Sequence, residues 1–121
     1  MRRAATLVAL AAILGACGGE RDSFTIELEE VNGSGVNGEL ELRRAGESST
    51  RLTVRRVEGG RITGTRVMSQ SPCPGTDDKF AVKAPTGIVQ MEFDAFRRSA
   101  ERGELVAAFL RHGRYVACGT T

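Results

Sequence analysis

From Phe24 onward the apolar residues recur at every second position, and this period of two is what most narrows the fold. Phe24, Ile26 and Leu28 alternate with Thr25, Glu27 and Glu29, as on a strand with one buried and one solvated face. Asn32-Gly33-Ser34-Gly35 and Asn37-Gly38 supply residues that tolerate positive φ. Leu40 and Leu42 then resume the alternation against Glu39, Glu41 and Arg43, which reads as a hairpin with a wide or bulged turn. After Ala45-Gly46-Glu47-Ser48-Ser49, Leu52 and Val54 alternate with Arg51, Thr53 and Arg55. The outward positions carry Glu27, Glu29, Glu39 and Glu41 near Arg43, Arg51 and Arg55, so opposite charges can pair across strands at roughly 0.2–1 kcal/mol each.

Past Gly59-Gly60 the pattern weakens. Ile62 to Met68 reads as a strand, followed by a loop of turn formers from Ser69 to Asp78. Strand signals return at Phe80, Val82 and Ala84, and again at Val89, Met91 and Phe93. Ala95 to Gly103 is a polar connection with room for a helical turn or two. Leu105 to Leu110 is an almost unbroken apolar run, and Tyr115 to Cys118 closes the domain. About eight short strands with almost no helical periodicity predict an all-β, Greek-key sandwich or barrel over residues 24–121.

The 121-residue chain begins differently. Met1-Arg2-Arg3 precedes a short apolar run, Ala4 to Leu14, in the order of a secretory signal, and the run is shorter than the ~20 residues that cross a bilayer. Leu14-Gly15-Ala16-Cys17 resembles the lipobox of bacterial lipoproteins. That resemblance implies cleavage after residue 16, lipid on Cys17, and residues 17–23 as a polar tether to a domain held outside the cytoplasmic membrane. Gly18, rather than an aspartate, leans towards an outer membrane where one exists. The alternatives are an ordinary cleaved signal with Cys17 incidental, or a retained signal anchor.

Cys73 and Cys118 are the other two cysteines. An even pair in an exported domain points to a disulfide, and two thiols on a metal would lack neighbouring ligands. Glu30-Val31-Asn32-Gly33-Ser34-Gly35-Val36-Asn37-Gly38-Glu39-Leu40, the loop cysteine Cys73 and Ala117-Cys118-Gly119 fall in an order that resembles copper/zinc superoxide dismutase-like β-sandwich domains. The resemblance implies an eight-stranded Greek key and a Cys73–Cys118 bond. It departs where the chemistry would lie. No histidine occurs in Arg66 to Pro72, and Tyr115 stands where the family has an arginine, with Arg114 one step away. A copper site plus a zinc site needs several imidazoles, and His112 is the chain's one histidine.

Other chemistry finds little footing. His112 beside Gly113 reads as a solvated turn residue. Ser48-Ser49 and Ser69-Gln70-Ser71 lack a nucleophile-elbow setting. Asp77-Asp78 and Glu29-Glu30 lack the ligand spacing of a calcium loop. Gly33, Gly35 and Gly38 join strand to strand, not strand to helix, so they do not form a phosphate loop. With no Trp and only Tyr115, a stacking platform for sugars or bases is poorly supplied. The net charge of +2 is accounted for by Arg2 and Arg3, so the mature part is neutral and lacks the footprint of a nucleic-acid binder. The sequence thus predicts no catalytic residues, no metal ligands and no cofactor. It predicts a non-enzymatic envelope lipoprotein, partnered by the membrane through Cys17 and by an envelope protein or a small ligand. The alternative is a metal-dependent enzyme or metal carrier derived from the dismutase-like fold.

Overall fold

The computed structural model describes residues 22–69 and 82–121. The signal segment, Cys17, most of the tether, Cys73, Asp77-Asp78 and the strand start at Phe80 lie outside the described residues. Seven strands form one antiparallel sheet: β1 (Ser23–Glu30), β2 (Asn37–Arg44), β3 (Thr50–Glu58), β4 (Gly64–Ser69), β5 (Gly87–Val89), β6 (Leu105–Arg111) and β7 (Arg114–Thr120). Their spatial order is β4-β6-β7-β1-β2-β3-β5. The sheet turns its corner at β1, which pairs with β2 from Ser23 to Leu28 and with β7 through Glu29 and Glu30. The all-β expectation therefore holds in its barrel-like form, as a curled half-barrel with seven strands among the described residues.

The alternation places Ile26, Leu28, Leu40, Leu42 and Leu52 inside the curl, where they meet Leu105, Ala107, Phe109, Val116 and Ala117 from the other half. Strand β6 is buried on both faces. Val106, Ala108 and Leu110 join Met68 and Tyr115 in a second, outer cluster, which explains the unbroken apolar run of its sequence. Two bulges sharpen the curl. The register steps from Glu39↔Arg56 to Leu40↔Val54, leaving Arg55 as the extra residue. It steps again from Phe109↔Ala117 to Leu110↔Tyr115, leaving Val116. The Val116 carbonyl accepts from the Val31 N–H at 3.1 Å and from the Ser34 hydroxyl, so this bulge fastens the β1–β2 turn to β7.

The corner depends on a missing side chain. A Cβ on Gly119 would lie 1.8 Å from the Glu27 carbonyl oxygen, a backbone atom that cannot swing aside. Because only two residue pairs register β1 against β7, Gly119→Ala is expected to pry the halves apart, at a cost of roughly 1–3 kcal/mol or more. Chemical denaturation checks this against Thr120→Ala, an exposed neighbour that should leave the midpoint unchanged.

The expected strand through Val89, Met91 and Phe93 stops at Val89, and the helical turn or two expected from Ala95 begins two residues earlier, at Phe93. Phe93 reads as the end of a Val89-Met91-Phe93 alternation, but it opens α1 (Phe93–Glu101), which buries Phe93, Phe96 and Ser99. A nine-residue helix is unstable alone and is held here by packing. The Phe93 ring lies 5.5 Å from that of Phe24, and the Arg44 guanidinium sits 5.0 Å above it. Arg44 also binds Asp94 at 3.1 Å and Asp22 at 3.0 Å. The hydrogen bond from Arg44 holds the Asp94 carboxyl below the ordinary aspartate range. A depressed folded-state pKa gives stability that is present above the unfolded value, near pH 4, and lost as pH falls through the folded value. Asp94→Asn should therefore reduce the acid dependence of stability below about pH 4. Both partners are partly exposed, so the effect should be small and should shrink in salt, as measured by melting temperature across a pH series.

Candidate functional site

Among the described residues, His112, Ser49 and Glu30, which the sequence offers as chemistry, shape turns. His112 and Gly113, at φ 50° and 80°, form the two-residue turn between Arg111 and Arg114, the geometry of a type I′ hairpin. The exposed His112 donates its backbone N–H to Thr63 Oγ1 at 2.9 Å. Ser49 donates its hydroxyl to the Ala45 carbonyl and closes the β2–β3 turn. Glu30 accepts the Gly35 N–H at 2.7 Å across the β1–β2 turn. Ser69 and Ser99 hydroxyls meet at 3.0 Å, tying β4 to α1. Among the described residues no three histidine, cysteine or acidic side chains gather as a metal could require. Cys118 lies half-buried on β7 beside the outer cluster, and its side chain is not without a partner.

The site that the fold builds is the gap between the two edges of the curled sheet. Strands β4 and β5 end the spatial order, and the curl brings them towards each other. At one end they nearly close. Val82 exchanges backbone hydrogen bonds with Thr65 of β4 at 2.8 and 3.1 Å. Its side chain crosses to β5, where a Cβ on Gly87 would stand 2.5 Å from Val82 Cγ1. A Cβ on Gly64 would meet the Val82 carbonyl oxygen, also at 2.5 Å. Two glycines therefore let a single residue bridge the edges.

Beside that bridge lies a cleft of about 690 Å³. Its described lining runs from Arg66, Val67, Met68 and Ser69 on β4, past Val82 and Lys83, to Ile88, Val89, Gln90 and Met91, with Phe96 of α1 behind. The volume falls in the range of small-molecule pockets, about 300–1,000 Å³, and the lining is mainly apolar with a few polar groups. Ile88 and Met91 are 43% and 50% exposed, two of three large apolar side chains so displayed among the described residues. Arg66, on the outer side of β4, donates to the Tyr115 hydroxyl at 2.6 Å.

Sequence reasoning places Met68, Val82, Val89 and Met91 in strands but does not bring them to one cleft. Comparison with protein-family models, curated proteins and solved structures gives no match to this chain.

Proposed function

We propose that the chain is a lipid-anchored envelope protein whose folded domain is a non-enzymatic binding module, with the β4–β5 cleft as its ligand site. The cleft carries the binding half of this reading: an open, mainly apolar trough lined by residues of β4 and β5, with exposed Ile88 and Met91 on its rim. The occupant it suits is an apolar side chain or an extended segment of an envelope partner, or a small apolar ligand. Leu14-Gly15-Ala16-Cys17 carries the address, with lipid on Cys17 as the membrane anchor.

The scaffold we assign is the superoxide dismutase-like Greek key without its metal site. In support, β4, the Val82 bridge and β5 follow one another in the chain, and β3, which precedes them, lies beside β5. A return of the preceding strand to the side of the last is the connection that a Greek key would use. In the same reading Cys118 is bonded to Cys73.

In-cell crosslinking of the native protein, compared with Cys17→Ser and with Met91→Asp, tests the assignment. Mass analysis of the N-terminal peptide should show a lipid-modified Cys17, absent from Cys17→Ser. A copurifying partner should be lost from both variants, the first because the domain is misplaced and the second because a charge enters the cleft rim. An unmodified Cys17 would sink the anchor. A partner captured equally by Met91→Asp would sink the cleft as its site.

A further inference from the structure

We propose that the outer face of β2 and β3, at the end where the chain enters β1, is a docking surface for an anionic lipid bilayer. The inference rests on the Cys17 anchor and adds to it an orientation of the domain against the membrane. It begins from one transverse row of the sheet, in which Ser23 stands opposite Arg43, Arg43 opposite Arg51, and Arg51 opposite Ile88. Two arginines directly across a ladder repel each other, an arrangement that destabilises a sheet unless an anion lies against it.

The neutralisation available within the domain is incomplete. Glu41, two residues before Arg43 on β2 and 6% exposed, accepts Arg43 at 3.2 Å and lies 3.7 Å from Arg55. One carboxylate therefore serves two of the three arginines on this face, Arg43 and Arg55, and Arg51 makes no ion pair among the described residues. Arg43, Arg51 and Arg55 are all exposed. The loops at this end also carry acids. Asp22 and Asp94 are engaged by Arg44, Arg97 holds Asp94 at 2.8 Å, and Glu47 and Glu92 stand in solvent.

Charge separates along the strands. The far half of the same face holds Glu27, Glu39 and Glu58 around Arg56, which binds Glu27 at 3.0 Å and lies 3.5 Å from Glu58. The near half thus sets three arginines against Glu41, and the far half three glutamates against Arg56, so the face is polarised along its strands. The arginine end is the one nearest the anchor. Six residue steps separate Cys17 from Ser23, which span at most about 20 Å fully extended. From Ser23 the row reaches Ile88 across three strand spacings, about 14 Å. Lipid on Cys17 would thus keep these arginines close to the headgroups, with the cleft rim at Ile88 and Met91 at and beyond the end of the row and left to its own ligand. Each arginine near an anionic surface is worth about fivefold in association, so Arg51, the arginine of this face without an ion pair, supplies roughly fivefold before salt.

The test uses the native lipidated protein reconstituted into vesicles of phosphatidylcholine, with or without one-third phosphatidylglycerol, and labelled with phenylglyoxal. Labelling is quantified at each arginine. Arg43, Arg51 and Arg55 should be protected in the anionic vesicles by roughly fivefold or more and exposed again in high salt, where the Debye length falls to about 3 Å. Arg61 and Arg114, exposed at the opposite end, should label equally in both. Arg51→Glu, a change at an exposed position, should restore labelling of Arg43 and Arg55. Equal labelling in the two vesicle types would overturn the docking face while leaving the anchor intact. Salt-insensitive protection in both types would assign the face to a second copy or another protein and overturn it equally. A protein that stays in the aqueous fraction with Cys17 unmodified would remove the anchor, and the inference with it.

Discussion

Phe109→Ala is expected to remove about 3–5 kcal/mol of stability, a large share of the roughly 5–15 kcal/mol that a domain of this size possesses. Phe109 is fully buried on β6, between β4 and β7, and projects into the main core. Its site is shaped for a ring by a residue from the opposite half. A Cβ on Gly38 would come within 2.8 Å of Phe109 Cε2 and 2.0 Å of the Arg56 carbonyl oxygen. Gly38 is therefore the small member of a small-and-large pair, and Phe109 fills what glycine leaves. Deleting the ring opens a cavity that the neighbouring strands cannot collapse into, because both halves of the sheet are held by their ladders. The urea midpoint should fall steeply with the slope unchanged, and Phe109→Leu should recover most of the loss. A fall of less than 1 kcal/mol would mean that the two halves do not share this core.

What the sequence reveals of this fold depends on whether a signal is local. Strands β1 to β3 are legible because Phe24, Ile26, Leu28, Leu40, Leu42, Leu52 and Val54 keep a strict period of two beside strongly polar alternates. Strand β6 is legible as a buried strand, since Leu105 to Leu110 has no polar face to offer. The start of α1 is hidden because two periods overlap at Phe93, which belongs equally well to Val89-Met91-Phe93 at a spacing of two and to Phe93-Phe96-Ala100 at helical spacing. Packing decides for the second, since Phe93 gains Phe24 and Arg44 as neighbours. The bulges at Arg55 and Val116 carry no glycine to announce them. The cleft is illegible for a different reason. Each strand's pattern reports burial of its faces, whereas the cleft is made by strand edges, and whether β4 and β5 meet depends on the depth of curl and on Val82 fitting between Gly64 and Gly87. Turn chemistry was the more readable part: Asn32-Gly33 and His112-Gly113 take the left-handed conformations that their residue types favour.

Cys118→Ser is expected to lower the melting temperature under oxidising conditions by an amount close to that of Phe109→Ala. The proposed bond to Cys73 closes a long loop, for which the chain-entropy account gives roughly 3–5 kcal/mol, on the order of 15–25 °C for a domain this small. Cys118 lies opposite Ala108 on the outer face of the β6–β7 hairpin and packs with the second cluster, whose members Ala108 and Leu110 are 0% and 2% exposed. A tie at this point would restrict the unfolded chain and also hold the Cys73 region to the face that β6 needs covered. The two contributions separate experimentally. In reductant, the wild type should fall to the level of Cys118→Ser if chain restriction dominates. A residual advantage of the reduced wild type would report the packing of the thiol itself. Cys73→Ser should match Cys118→Ser, and the double variant should lose no more than either single one, because the two residues act through one bond. Additive losses, or an oxidised Cys118→Ser variant as stable as the wild type, would show that the pair is not bridged.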